Sequence, residues 1–337
     1  MGMNPTIKDI ARTLNLSTST VSRALTDHPD IKKETKKLVL KLAQELDYQP
    51  NPIALSLKQN RTYILGVIIP ETSISFFSKA ISGIQEVAAS SGYQVMICSS
   101  HESLEIEKQS VQTLLNSRVD GLIISVSKET RDVGHLAKIL DKRVPTVFFD
   151  RVCDSLHATK VVADNFTIVF KTTEHLITTG RKRIAFIAGP QNLYNSRKRL
   201  EGYKEALKKY NLPIDERLII YSNYEGESVK RYTQSLLELD PPIDAIFAIN
   251  DRTAIEMMHL IKRSRLRVPE DIGVVGFNNE RFAAFFDPPL TSVDHPAFEM
   301  GKAAAELLLH HIEDDQLPAQ KRVLKSDLII RESSFKN

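Results

Sequence analysis

Tryptophan is absent from the 337 residues, and cysteine occurs only at Cys98 and Cys153. The two thiols stand far apart, without the close spacing of a metal or redox motif. This excludes a disulfide scaffold and suits a reducing cytoplasm, and both read as small buried hydrophobes. No apolar run approaches the roughly 20 residues that cross a bilayer, which excludes a helical membrane span. The opening MGMNPTIKD lacks an apolar stretch, so no secretory signal is expected. It matches the myristoylation pattern M-G-x-x-x-S/T, but Thr6 has a better local use as a helix cap. Also missing are G-x-S-x-G, a P-loop, G-x-G-x-x-G and any metal-ligand constellation, so no enzyme, cofactor or metal site is expected. His311 and Asp315 in HHIEDD stand four apart, which a solvated helix end explains.

What is present is globular in character: 42% hydrophobic and 26% charged residues, over a length that suits two or three domains. The net charge of +3 is unevenly placed. Residues 1–62 hold ten Lys/Arg against six Asp/Glu, and the remainder is one charge negative. A basic head on a near-neutral body implies an anionic partner for the head alone.

In the head, TIKDIARTLN reads as a helix capped by Thr6, with Asp9 in capping-box position and Ile7, Ile10, Ala11 and Leu14 on one face. Asn15-Leu16 is a short turn, and Ser17 caps a second helix running through Leu25. Leu16, Val21, Ala24 and Leu25 point inward. Thr18, Ser19, Ser22 and Arg23 point outward. A third helix in KKETKKLVLKLAQELDY is expected to turn Leu38, Leu42 and Leu46 inward. Two short helices on a tight turn, backed by a third, make a helix-turn-helix unit. A recognition helix must be slim to enter the major groove and must offer hydrogen-bonding groups. Ser and Thr do both, and Arg23 can pair bidentately with guanine. A solvated helix in a small bundle would carry the same pattern. Next, YQPNPIALSLKQNRT (48–62) breaks the third helix with two prolines. Its PIALSLK is either a plain linker or a short helix that folds on docking, with Leu57 as an apolar wedge and Lys58 as a phosphate contact.

In the body, strand-like runs such as YILGVIIP, GLIISV, VPTVFFD, RIAFIAG, AIFAIN and IGVVGFN alternate with helical patterns, for example 78–91, 104–117, 166–179, 195–210, 227–238 and 252–265. Continuous Val/Ile runs separated by helices imply parallel sheets covered on both faces. About 270 residues exceed one doubly wound sheet, so two α/β lobes are expected. Ligands of such sheets bind beyond the carboxyl ends of the strands. That places Phe76 and Phe77, Asp150, Arg199, Tyr224, Asn250, Asp251 and Asn278 as candidates. Arg199 is expected there as the strong cation facing Asp150, Asp164 and Asp251. Aromatic faces and bidentate polar groups suit a sugar, nucleoside or other polyhydroxylated ligand. Each residue alone also fits a cap or turn, and Asp164 could simply cap the helix near Phe166.

With these motifs in order, the chain resembles the LacI/GalR (lac/gal repressor) family along its full length. The head TIKDIARTLNLSTSTVSRAL and DYQPN carry the resemblance. So do VDGLIIS, VVADN, GRKRIAFIAGP, RLEGYKEAL, FAINDRTA, VPEDIGVVGFNN, PPLTSVDHP and LIIRESS in the body. The resemblance implies a dimeric cytoplasmic repressor, at the bacterial nucleoid, with an α/β body built like a periplasmic sugar-binding protein. It divides the chain into a helix-turn-helix domain (1–50), a hinge segment (51–61) and an effector-binding and dimerisation domain of two lobes (62–337). It implies that a sugar-like effector sets the grip on a palindromic double-stranded operator. Thr18, Ser19 and Arg23 then read bases, Leu57 wedges into the minor groove beside Lys58, and Thr6, Ser17, Ser22 and Asn51 join the DNA-contacting set. Phe77, Asp150, Asp164, Arg199, Tyr224, Asn250 and Asn278 then line the effector cleft, with Phe76 and Asp251 beside them. Two departures stand out: Leu55 where the family often has Arg, and Asn278 where it usually has Asp, which alters the hydroxyl-accepting chemistry of that corner. The competing reading, a stand-alone small-molecule binding protein, is disfavoured by the basic head.

Overall fold

The computed structural model describes residues 5–48, 61–223 and 227–335. The chain divides into two compact units, Met1–Tyr63 and Ile64–Asn337.

The head contains helices α1 (Ile7–Thr13), α2 (Thr18–Leu25) and α3 (Lys33–Glu45). The Thr6 backbone N–H and hydroxyl both donate to the Asp9 carboxylate, at 2.9 and 2.7 Å, which fixes the start of α1. Asn15 takes a left-handed φ of 51°, a conformation Asn tolerates, and turns the chain between α1 and α2. Ser17 Oγ then accepts from the Thr20 N–H at 3.1 Å and caps α2. The core is Ile10, Ala11, Val21, Ala24, Val39 and Ala43, rimmed by half-buried residues including Leu14, Leu16, Leu25 and Leu42. The expected inward face of α3 is therefore corrected. Val39 and Ala43 are buried, whereas Leu38 is 57% and Leu46 37% exposed. The two stripes lie one residue, or 100°, apart, and the narrower side chains let α3 approach α1 and α2 closely.

The body alternates strands and helices in the order β1 (Ile64–Ile69), α4 (Ser75–Ser90), β2 (Gln94–Ser99), α5 (Leu104–Asn116), β3 (Gly121–Ile124), α6 (Gly134–Asp141), β4 (Thr146–Phe149) and β5 (Thr159–Ala163). It continues through α7 (Asn165–Thr178), β6 (Ile184–Ala188), α8 (Tyr194–Lys209), β7 (Ile219–Tyr221), α9 (Glu227–Leu237), β8 (Ala245–Phe247), α10 (Asp251–Arg263) and β9 (Gly273–Phe277). It ends with β10 (Thr291–Asp294), α11 (Ala297–Glu313), β11 (Lys321–Leu324) and β12 (Asp327–Ile329). Two six-stranded sheets result, ordered β11-β5-β4-β3-β1-β2 and β12-β10-β9-β8-β6-β7. The first is parallel throughout. The second is parallel except that β12 runs antiparallel to β10.

The central strands of each sheet are buried on both faces between a pair of apolar clusters, as parallel strands covered by helices require. The chain crosses between the lobes three times: after β5, after β10, and between β11 and β12. Helix α11, reached by the second crossing, returns to pack against α4 in the first lobe. A methyl group on Gly83 would stand 2.1 Å from the Phe298 carbonyl oxygen, and one on Gly301 1.9 Å from that of Ala80, so only glycine permits this approach. His311 is not merely a solvated helix end. Its Nε2 lies 2.7 Å from Thr159 Oγ1 and ties α11 to β5. The two free cysteines are half-buried against the cluster beneath α5 and α6. Burial pushes the Cys153 thiol up to about 12.

Candidate nucleic-acid interface and candidate ligand cleft

In the head, Ser17, Thr18, Ser19 and Arg23 are exposed and Ser22 is half-exposed, on the side of α2 opposite Val21 and Ala24. The Ser17 hydroxyl lies 2.8 Å from those of both Ser19 and Thr20. The start of α2 is thus a row of linked hydroxyls on a capped helix end, a surface that can donate and accept toward a polar partner. Asn51, Leu57 and Lys58 lie outside the described residues, as does Leu55.

In the body, the carboxyl ends of strands from both sheets converge on one cavity of about 220 Å³. Its wall includes Ile74, Phe76 and Phe77 from the turn after β1 and the start of α4, and Asp150 and Arg151 after β4. Asn195 and Arg199 come from α8 and Ser222 from beyond β7. Asn250, Arg252, Thr253 and Glu256 come from the start of α10, Asn278 and Glu280 follow β9, and His295 follows β10. Of the sequence candidates, Phe76, Phe77, Asp150, Arg199, Asn250 and Asn278 meet here. Asp164 does not line the cavity. Its carboxylate accepts from the Thr167 N–H at 3.1 Å and caps α7. Asp251 is also absent from the wall and fully buried behind it, accepting from the Ser292 hydroxyl at 2.5 Å and the Glu280 N–H at 2.6 Å. Burial pushes its carboxyl up to about 6. Tyr224 lies outside the described residues.

Asp150 takes a left-handed φ of 55° and is buried. Its Oδ1 accepts from Asn195 Nδ2 at 3.3 Å, a contact between the lobes. Burial works against this carboxylate, but His295, Arg151 and Arg199 outweigh it and hold it below the usual carboxylate range. Arg199 donates from Nε to Asn165 Oδ1 at 2.8 Å and lies over the Phe277 ring, 3.7 Å from its centroid. It is not the sole strong cation in the wall, because Arg151 and Arg252 share it. Arg151 is held by Glu102 at 2.8–2.9 Å. Asn250 Oδ1 accepts from the Thr253 N–H at 2.8 Å and caps α10. Asn278 has φ 98° and donates its N–H to the Val293 carbonyl at 2.8 Å, which fixes its backbone in the cavity wall.

Sequence reasoning missed the polar wall residues Arg151, Asn195, Ser222, Arg252, Thr253, Glu256, Glu280 and His295, and the apolar Ile74, Val229 and Ile249. The strand-end rule reaches Arg151, which directly follows VPTVFFD. No strand pattern leads to His295, because the four-residue TSVD lacks a Val/Ile run.

Comparison with known proteins agrees with both halves of the structure. Residues 6–51 match the model for bacterial regulatory proteins of the lacI family. Residues 173–334 match that for a periplasmic binding protein-like domain. The HTH-type transcriptional repressor CytR of Escherichia coli (strain K12) is 33% identical over 331 residues, covering 98% of this chain and 96% of that protein. The HTH-type transcriptional repressor PurR of Vibrio atlanticus (strain LGP32) is 32% identical over 322 residues, covering 95% of each. Among solved structures, the lac repressor dimer bound to operator and the anti-inducer ONPF superposes with a TM-score of 0.87 at 25% identity, covering 98% of this chain and 99% of that one. A transcriptional regulator CelR–cellobiose complex gives 0.75 at 28% identity, covering 98% and 99%. Among the described residues no helix is long and apolar enough to cross a membrane. A helix-turn-helix head, two α/β lobes closing on a cavity, and close full-length relatives that are transcriptional repressors lead to one conclusion: the chain belongs to the lacI family of bacterial regulatory proteins and is a DNA-binding transcriptional regulator.

Proposed function

We propose that the protein represses transcription as a homodimer on a palindromic operator at the bacterial nucleoid, and that a sugar or sugar derivative in the cleft sets its grip. In this reading residues 1–50 bind double-stranded DNA, 51–61 act as the hinge segment, and 62–337 hold the effector and the dimer partner. Thr18, Ser19 and Arg23 read base edges in the major groove, Thr6, Ser17, Ser22, Asn51 and Lys58 complete the DNA-contacting set, and Leu57 opens the minor groove. Phe76 and Phe77 supply the apolar face for a ring, and Asp150, Arg199, Asn250 and Asn278 supply hydrogen bonds to hydroxyl groups. Asp164 and Asp251 act at one remove, and Tyr224 belongs to the same effector-binding set. The observation that carries the reading is the cleft itself: aromatic, carboxylate, amide and guanidinium groups from both lobes converge on one cavity, in a chain whose head bears a capped hydroxyl-and-Arg helix. The relatives described with operator, ONPF and cellobiose support it.

The test is operator binding by the full chain, using DNA sites selected from a random pool, with and without neutral sugars that raise its melting temperature. A steep loss of affinity with salt and a shift in operator affinity on adding such a sugar are expected. No sequence preference in the selected pool overturns the DNA reading. Sugars that bind without altering operator affinity overturn the control reading.

A further inference from the structure

His295 is nine-tenths buried, yet it belongs to the cleft wall. Its ring is held between Phe76, at 4.9 Å between centroids, and Phe277, at 5.3 Å. Nδ1 faces the Ser326 hydroxyl at 3.3 Å. Nε2 faces Asp150 Oδ1 at 3.5 Å, and no hydrogen bond to Nε2 forms among the described residues. Because a carboxylate only accepts, this arrangement places the imidazole proton on Nε2 and leaves Nδ1 to accept from Ser326. Burial holds the imidazole below its ordinary pKa, with Arg199 adding to this and Asp150 and Asp294 opposing it, so the ring is neutral near pH 7.

The separation is the informative quantity. At 3.5 Å, Nε2 and Oδ1 are too far apart for a good bond to each other, but one oxygen can lie within about 2.8 Å of both. A hydroxyl group is the function that fits, since it accepts from the N–H while donating to the carboxylate. The location matters as well. His295 directly follows β10 and Ser326 lies between β11 and β12, so the ring sits in one interlobe crossing and its two nitrogens address a second crossing and a carboxylate of the first lobe. We propose that His295 and Asp150 form a donor–acceptor pair that grips a single hydroxyl of the effector, which makes His295 a specificity-determining residue seated in the crossover segment. The inference rests on the reading of the cleft as a polyol site.

The probes are neutral aldoses, glycosides and nucleosides at millimolar concentration, screened by thermal shift on the full chain. The compound giving the largest shift is then titrated calorimetrically into wild type, His295→Leu and His295→Gln. His295→Leu is expected to bind roughly tenfold or more weaker, while His295→Gln, which restores an N–H donor, keeps most of the affinity. Among deoxy analogues of that compound, one is expected to lose a similar factor on wild type and nothing further on His295→Leu. Undiminished binding by His295→Leu overturns this inference and leaves the polyol reading standing. No shift with any probe overturns both. If His295→Leu does not fold, nitrogen-15 histidine spectra of the wild type, assigned with His295→Gln, decide the matter. The Nε2–H tautomer is expected at neutral pH, and the Nδ1–H tautomer or an imidazolium overturns the pair.

Discussion

Polar groups are paired differently in the head and in the body. In the head most partners are near in sequence and exposed: Thr6 with Asp9, Ser17 with Ser19 and Thr20, and Arg12 with Asp9, the exception being Lys36, which reaches the exposed Asp27 carboxylate at 2.6 Å from nine residues away. In the body the decisive pairs are buried and join distant segments. Glu107 reaches Ser127, Thr130 and His135, Arg151 reaches Glu102, and Asp251 reaches Glu280 and Ser292. Exposed pairs exchange one good solvent contact for another and contribute about 0–1 kcal/mol. Buried pairs have lost water altogether, so truncating one partner leaves the other unsatisfied. The head's polar surface is thus open to change without loss of fold, whereas the body's polar interior both builds the cleft and constrains it.

The sharpest way to break this contrast is Glu107→Ala. The Glu107 side chain is fully buried, with the Ser127 N–H at 2.7 Å and His135 Nε2 at 2.9 Å. Its loss is expected to cost about 3–5 kcal/mol, read as a fall in the urea midpoint of the full chain. A midpoint within experimental error of wild type would show that buried pairing is no stronger here than surface pairing.

Arg199→Ala comes next. Removal of a buried guanidinium from the cleft wall is expected to cost about 2–5 kcal/mol in binding of a sugar effector, while operator affinity, carried by the head, stays near wild type. Operator release at an unchanged sugar concentration would place Arg199 outside the binding site.

Asp251 sharpens the contrast through pH. Its folded-state pKa of about 6 lies above the ordinary 3.8, so the folded protein keeps this proton longer than the unfolded chain does. The stability it contributes is fully present at the acid end and falls by about 2–3 kcal/mol as pH rises from about 4 to about 6. Asp251→Asn is expected to remove that slope in chemical denaturation measured across the window. An unchanged slope would assign it to other groups.

On the head side, Arg23→Ala is expected to cost about 1–3 kcal/mol on the operator, little on random DNA, and nothing in melting temperature. Equal losses on both DNAs would make Arg23 a backbone contact. Smallest of all is Arg12→Ala. At 81% side-chain exposure and 3.8 Å from Asp9, the pair is expected to contribute less than about 0.5 kcal/mol to thermal unfolding.

The same contrast explains what could be read from the sequence. Head elements are local: Thr6 and Asp9, the Asn15 turn, the Ser17 cap and the outward row from Thr18 to Arg23 all lie within a few residues of one another. On α3 the structure keeps Leu42 at the rim of the core but turns Leu38 and Leu46 outward, because the tight contact admits the narrower Val39 and Ala43. In the body, alternating Val/Ile runs made the two-sheet architecture legible, and strand ends pointed to Phe77, Asp150, Asn250 and Asn278. The short strand β10, TSVD, carries no such run and is placed by its pairing with β9 and β12. For that reason His295 escaped notice. Asp164 follows β5, and Asp251 in the same way sits at the strand end of the wall residue Asn250. Only three-dimensional packing shows that one caps a helix and the other is sealed behind the wall.

The three crossings between the lobes also set a timetable for the chain as it leaves the ribosome. The head is contiguous and can close its core once residue 48 has emerged. The first lobe cannot: its edge strand β11 ends at Leu324, far behind β5, which ends at Ala163. Helix α11, which seals α4, also arrives late. At bacterial translation speeds of about 5–20 residues per second, that lobe waits roughly 10–30 s with the apolar face of α4 and its sheet uncovered. Through that interval the nascent body is a natural client for chaperones, while the DNA-binding end of the same chain is already folded.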